Sequence, residues 1–504
     1  MHLRISLAVV TVTVIAASAA YAQTPKRSSL THGLGTGTPS AATTDWPLYG
    51  GDLAGSHYNS AEHAITPATV SRLKVKWIFQ TEADVSSQPV VVGGVVYFGS
   101  WDGKEYAVDA ATGHKIWAFD CHSPTRSGAA YADGVLYFGD INGRLYALDA
   151  KTGEQKWKVK VDPHRAAVTT SSPIYYNGRI YVGVASHEEG AMLGNAAYEC
   201  CTFRGSVVAF EAATGKEIWR FYTIPDPATA QGKDQKGRTI FGPSGGAVWS
   251  TVSVHPESNR LYVSTGNQYT NPETKFSDAI IALALDTGKM VWAFQGFSGD
   301  KWNFDCMQHP SECSEDYDFG SIPLSFKGPG KGPGPKKLIG AGEKSGWFYA
   351  LDPAAGKLVW KTQVGTGGKL GGVEFGTATD GNKVFVAISN AGNYPNKQGS
   401  ISALDGATGK ILWQTPCPDG GSNFGTITAS GAGTGELVFA GSSRNFIRAY
   451  DAGSGKILWE YDTGGAVGGG PTVVDGVMYV GSGYQFLRIG KPNNKLYAFS
   501  IDGK

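Results

Sequence analysis

The sequence predicts an all-β fold: an eight-bladed β-propeller whose last blade is closed by strands from both ends of the chain. Three observations predict it. First, the pattern Ala-x-Asp-x-x-Thr-Gly-x-x-x-Trp, clearest in ALDAKTGEQKW (147–157), recurs with small variations and ends at Trp117, Trp157, Trp219, Trp292, Trp360, Trp413 and Trp459. Self-similarity on this scale marks a repeat architecture. Second, the C-terminus LYAFSIDGK (496–504) stops at the turn of the pattern, while an orphan strand with the missing tryptophan, LKVKW (73–77), stands near the start. Joining the two completes an eighth blade and leaves no open sheet edge. Third, 70 glycines and 13 tryptophans suit Gly-rich turns between short aromatic-rich strands.

Taken in order, the chain opens with an export signal. Arg4 supplies the positive start, 5–17 the apolar run and Ala20-Tyr21-Ala22 a small-x-small cleavage site, so 1–22 is expected to be removed. The run is too short for a membrane span. Residues 23–45, rich in Ser, Thr and Gly, form a flexible leader, and the propeller occupies 46–504. Export implies an oxidising, periplasmic compartment in which disulfides persist. Each blade has one plan. In the first, PVVV (89–92) is followed by VVYFG (95–99), by EYAVD (105–109) and by the tryptophan strand HKIWAF (114–119). Asp-x-x-Thr-Gly is the tight turn before the last strand: Asp bonds the backbone ahead and Gly supplies φ > 0. Four-stranded antiparallel units in series build a propeller.

Strand alternation sorts the loops. The loop between strands two and three and the loop from strand four to the next blade open on one face; the Asp-x-x-Thr-Gly turns lie on the other. Successive tryptophans from Trp77 onward are 40, 40, 62, 73, 68, 53 and 46 residues apart. The excess over 40 belongs to blades three to five and to the first face, where a rigid scaffold carries function. Lys+Arg at 44 against Asp+Glu at 43 gives no electrostatic case for nucleic acid.

With the tryptophan pattern, eight blades and an export signal, the chain from about Trp46 onward resembles the quinoprotein alcohol dehydrogenases, which use pyrroloquinoline quinone (PQQ) with a divalent cation, usually Ca2+. Among them, ECCTFRG (199–205), DYDFG (316–320) and Trp302-Asn303 resemble signatures of polyvinyl-alcohol dehydrogenase. The resemblance implies roles residue by residue. Arg126, in CHSPTR, would pair with a PQQ carboxylate; Thr170 and Ser186 would contact the quinone; Trp249 would floor its ring; Lys344 would hydrogen-bond its oxygens. Glu189, next after Ser-His-Glu, and Asn267, 18 residues after Trp249, would ligate the metal. Glu plus Asn plus cofactor oxygens suit a hard cation. Glu188 competes for that role and is expected to be solvated.

Departures from the family pattern shape the remaining expectations. Simple-alcohol members have Trp-Asp where this chain has Trp302-Asn303, and Asn cannot act as their proposed base. Asp305 is the first candidate for base, with Asn303 beside it, and it stands where lanthanide-using relatives add a ligand; Asp300 is also near. With Asn303 present, Ca2+ is expected rather than a lanthanide. The adjacent pair of those members lies in blade two, where this chain has Cys121 alone; here Cys200-Cys201 lies in blade three and is expected to form a ring disulfide at the cofactor. Cys306 and Cys313 are expected to pair, leaving Cys121 and Cys417. Cys306-Met-Gln-His309 lacks the second Cys of Cys-x-x-Cys-His, so no covalent haem is expected. His122, His187 and His309 read as ordinary loop residues.

The resulting expectation is an exported enzyme that oxidises alcohols, secondary and polymeric ones such as polyvinyl alcohol included, by hydride transfer to PQQ, with electrons leaving to a separate cytochrome c. Two alternatives stand beside it: the same chemistry on a sugar, aldehyde or small primary alcohol, and a non-catalytic scaffold of envelope assembly, which shares the tryptophan repeat.

Overall fold

Eight blades, each built on four antiparallel strands and two of them extended by a fifth, follow one another along the chain in the computed structural model. It describes residues 45–191, 195, 197–307, 309–329, 336–369, 371–390, 398–484, 486 and 489–504. The expected signal (1–22) and all but the last residue of the expected leader (23–45) lie outside the described residues. Blade one is Val90–Val92, Val95–Gly99, Lys104–Asp109 and Lys115–Asp120, paired in chain order. Blade eight joins the two ends: Leu73–Gln80 pairs antiparallel with Lys495–Ile501, beside Val477–Ser482 and Thr472–Val474. No helix among the described residues is long and apolar enough to cross a membrane.

A bulge ahead of each tryptophan explains the outer strand. In blade one Lys115 faces Val108 and Trp117 faces Ala107, so Ile116 is the extra residue and stands exposed while Trp117 turns inward. The indole then reaches the next blade. Trp77, Trp117 and Trp157 donate Nε1–H to the carbonyls of Ala110, Ala150 and Ala212 at 2.9–3.0 Å. Trp292, Trp360 and Trp413 do the same to Pro353, Gly406 and Ala452. Trp459 closes the ring by donating to Leu73 O at 3.2 Å. Trp219 alone among the described motif tryptophans leaves its Nε1 without a partner. Beneath the indole lies the turn glycine of the next blade. A Cβ on Gly153 (φ +75°) would meet Trp117 at 2.9 Å, so both the left-handed backbone and the stacked ring require glycine there.

Trp46 is buried, and the segment after it does more than lead in. Trp46 bridges Val91 of blade one, Pro47 O accepts from Tyr131 N of blade two, and Leu53 O from Val254 N of blade four. Ser56 O accepts from Thr379 N of blade six, and Tyr58–Asn59 adds a parallel strand to blade seven. The segment 46–59 therefore crosses the centre of the ring and ties non-adjacent blades together. Nothing in the repeat announces this, because the segment has no repeat of its own.

Candidate active site

Loops of the elaborated face and the strand ends that lead into them line a cavity of about 390 Å³. Arg126, Thr170 and Trp249 come from loops between blades; Ser186, Glu189, Asn267 and Lys344 come from loops between strands two and three. The structure thus brings these seven sequence candidates to one place. Trp249 is fixed from several sides. Thr170 Oγ1 donates to its carbonyl at 3.2 Å, Phe375 meets it edge-on, and Gly320 approaches so closely that a Cβ there would lie 2.4 Å from the indole.

Three further carboxylates join the cavity: Asp316 and Asp318, from DYDFG in the loop between blades four and five, and Glu374, half-buried near Lys344 and Arg126. Lys344 Nζ lies 3.0 Å from Asp316 Oδ2 and 3.0 Å from Asp318 Oδ2. Burial disfavours its charge, but Asp316 and Asp318 outweigh burial and raise the ammonium above its ordinary range. Asp318 Oδ1 also accepts the N–H of Asn267 at 2.5 Å. The Asn267 side chain donates Nδ2 to Trp302 O and Gln268 O, which leaves its amide oxygen as the acceptor for a ligand. Burial, then the negative Asp318, push Glu189 up to about 7 against the pull of Lys344. Burial likewise drives Asp316 well above the carboxylate range.

Arg126 stands at the opposite character of site. Its guanidinium lies 5.3–5.5 Å from the ring centres of Phe375, Tyr484 and Phe486 and donates to Tyr484 Oη at 3.1 Å. Among the described residues no carboxylate forms an ion pair with it. Aromatic faces hold the cation without neutralising it.

The remaining candidates are placed elsewhere. Asp305 and Asn303 line a second cavity, where Asp305 lies 3.5 Å from Arg238 and Asn303 donates to Tyr269 O. Asp305 therefore does not join Glu189 and Asn267. Asp300 is buried behind the site, and its carboxylate accepts the N–H groups of Asp316 and Tyr317, which sets the turn that carries Asp318. Cys200 and Cys201 are disulfide-bonded, as are Cys306 and Cys313. Cys200 lines the second cavity and Cys201 is fully buried, so the pair does not line the first. Backbone bonds to Phe241 hold it there: Phe241 N donates to Cys200 O at 2.9 Å and Cys201 N to Phe241 O at 3.3 Å. Glu188 is not solvated. It is fully buried and accepts from Tyr198 Oη, Thr202 N and Phe203 N, anchoring the segment after the cysteine pair. Cys121 and Cys417 are buried free thiols.

Comparison with known proteins follows this division. The family model described as glucose/ethanol/alcohol dehydrogenase, beta-propeller domain, matches 162–364. The model for outer membrane protein assembly factor BamB matches 66–227, 344–423 and 397–503, and so skips the stretch holding Trp249, Asn267, Asp316 and Asp318. Polyvinylalcohol dehydrogenase of Sphingopyxis sp. (strain 113P3) is 35% identical over 490 residues, 88% of this chain and 74% of that protein. The Pseudomonas sp. polyvinylalcohol dehydrogenase is 34% identical over 500 residues, 91% of this chain and 77% of its own. Among solved structures, quinohemoprotein alcohol dehydrogenase ADHIIG from Pseudomonas putida HK5 superposes with a TM-score of 0.74 at 22% identity, covering 92% of this chain and 81% of that one. BamB from Moraxella catarrhalis gives 0.55 at 14%, covering 85% and 99%.

Proposed function

From the premise that this chain belongs to the PQQ-dependent alcohol dehydrogenases, we propose that it oxidises secondary alcohols, polyvinyl alcohol among them, with PQQ and Ca2+ held in the cavity between Arg126 and Lys344. The observation that carries this reading is the convergence, in one cavity, of an oxygen-rich cluster (Glu189, Asn267, Asp318) and the Arg126 guanidinium, which forms no direct ion pair among the described residues.

The residues present fit both groups. PQQ is a planar polycarboxylate; Arg126 offers it a guanidinium fork, Thr170 and Ser186 offer hydroxyls, and Trp249 offers a flat floor. Glu189 and the Asn267 amide are the hard oxygen donors that Ca2+ would take, completed by cofactor oxygens. Four carboxyls, those of Glu189, Asp316, Asp318 and Glu374, lie about the Lys344 ammonium, and a divalent cation would relieve that excess. When bound, PQQ supplies the hydride acceptor and the cation an electrophile.

The chain's own residues do the rest. Asp318, rather than Asp305, accepts the proton of the substrate hydroxyl: it lines this cavity, whereas Asp305 lines the second, and it stands between the Asn267 N–H and Lys344. The Asn267 N–H and the Lys344 ammonium fix its orientation. Lys344, held charged by Asp316 and Asp318, would present positive potential to the quinone oxygens of bound PQQ. Trp302 and Phe304, in edge contact at 5.0 Å, help to exclude water. The electrons then leave to a separate cytochrome c in the periplasm.

Reconstitution tests the proposal. The purified chain is expected to bind PQQ in a Ca2+-dependent way and then to reduce a dye with 2-butanol. Ca2+-independent binding, or no dye reduction with any alcohol, would overturn it.

A further inference from the structure

The second cavity, of about 420 Å³, is larger than a structural gap and has no part in the chemistry above. Its outer wall is a hairpin, Thr229–Lys233 paired with Thr239–Gly242, whose first strand is wholly exposed and which belongs to no blade. Its inner wall is the 300–313 loop and the cysteine pair. The cavity adjoins the first. Tyr269 lines both, and the chain passes from one to the other between Trp302, on the first, and Asn303, on the second. Asn303 Nδ2 fixes this partition by donating to Tyr269 O at 2.9 Å.

The lining of the second cavity is mixed. Gln235, Thr239 and Asn271 offer donors and acceptors, and Lys236 and Lys301 add donors. Ile240, Tyr198, Tyr269 and the cysteines supply apolar surface between them. The acidic groups are engaged by one cation: Arg238 Nε lies 2.5 Å from Asp234, and its Nη2 3.5 Å from Asp305. The walls are braced by both disulfides, since Cys200, Cys306 and Cys313 all line the cavity. Such a braced surface of mixed hydrogen-bonding groups pre-organises recognition of hydroxyls.

We propose that this cavity is a substrate subsite for the hydroxyl groups that flank the one being oxidised, so that a polyhydroxylated chain lies across Tyr269 with one hydroxyl in the first cavity and its neighbours in the second. The proposal rests on alcohol oxidation in the first cavity. It assigns the hairpin a function, and it explains why the cysteine pair lies where it does: the pair shapes the substrate path rather than the cofactor site.

The test compares a small alcohol with a polymer on the PQQ- and Ca2+-loaded enzyme. For the unaltered chain, KM per hydroxyl is expected to fall from 2-butanol through 2,4-pentanediol to polyvinyl alcohol. Gln235→Trp, which fills the cavity from the exposed hairpin, and Lys236→Ala, which removes a donor, are each expected to raise KM for polyvinyl alcohol by about tenfold while leaving kcat/KM for 2-butanol within about twofold. Equal effects on both substrates, or none on the polymer, would overturn the subsite. A polymer preference replaced by tight competitive inhibition with polyacrylate would also overturn it, by showing an anion site instead. If 2-butanol itself is not oxidised by the unaltered chain, the reading of the first cavity fails, and that outcome is distinct from the others.

Discussion

Lys344 is held between Asp316 and Asp318, and its chain neighbour Glu343 faces the other way, into the interior. Glu343 accepts from Ser345 Oγ and from Tyr349 Oη, while one of its oxygens and both oxygens of Asp278 have no donor. Both groups are buried beside each other. Burial pushes Glu343 up to about 7 and Asp278 well above the carboxylate range, Glu343 adding to the latter. A proton shared between them satisfies both. The sign follows: the folded state binds this proton more tightly than the unfolded chain, so the stability is fully present below the ordinary value of 4.5 and is lost as pH rises through about 7. Urea unfolding midpoints are therefore expected to drop between about pH 5 and pH 8, and Asp278→Asn is expected to flatten the drop. An unchanged slope in Asp278→Asn would remove the pair from the account. At this scale the sequence was partly legible. Arg126, Glu189, Trp249, Asn267 and Lys344 each stand at a readable offset from a strand end, and the structure gathers them. Asp318 was hidden because its loop runs on past Trp302-Asn303, and Asp305 stood nearer to that pair; only the turn set by Asp300 returns Asp318 to Lys344. The signal, DYDFG, was present as a family signature without a place in the site.

The element that repeats is a turn and a tryptophan from different blades. In sequence the turn asks for glycine because of φ > 0. The structure adds a second reason, the indole stacked on it from the blade before. Gly153 and Gly134 separate the two causes: both have φ near +75 to +78°, but a Cβ on Gly134 would meet nothing within 4 Å, whereas one on Gly153 would strike Trp117. Gly134→Ala is expected to cost about 1 kcal/mol and Gly153→Ala about 2–4 kcal/mol, by denaturant unfolding. Equal losses would show that the backbone conformation alone matters. The contact joins Trp117 to Gly153 across a blade boundary, so no reading within one repeat could show it. The cysteine pair teaches the same lesson. Its adjacency predicted the disulfide, but the backbone bonds to Phe241, in the hairpin beyond it, decide which cavity it faces.

At the scale of the molecule, ring closure was legible because the two leftover pieces, 73–77 and 496–504, complete one motif. The crossing segment 46–59 was not, since its partners are strands of non-adjacent blades. Closure is expected to be indispensable. Deleting 495–504 strips Leu73–Gln80 of its partner and exposes the edge of Val477–Ser482. The shortened chain is expected to lose cooperative unfolding or to aggregate; a monomeric chain with the original midpoint would contradict the closure. The one elaborated face was also legible from tryptophan spacing, and both cavities lie there. The central claim is that the cavity built around Lys344, with Asp318 as its base, performs the oxidation. Dye-coupled turnover of 2-butanol by Asp318→Asn and by Asp305→Asn, each loaded with PQQ and Ca2+, tests it most directly. The account predicts a fall in kcat of about a hundredfold or more for Asp318→Asn and near-full turnover for Asp305→Asn; full turnover by PQQ-loaded Asp318→Asn would contradict it.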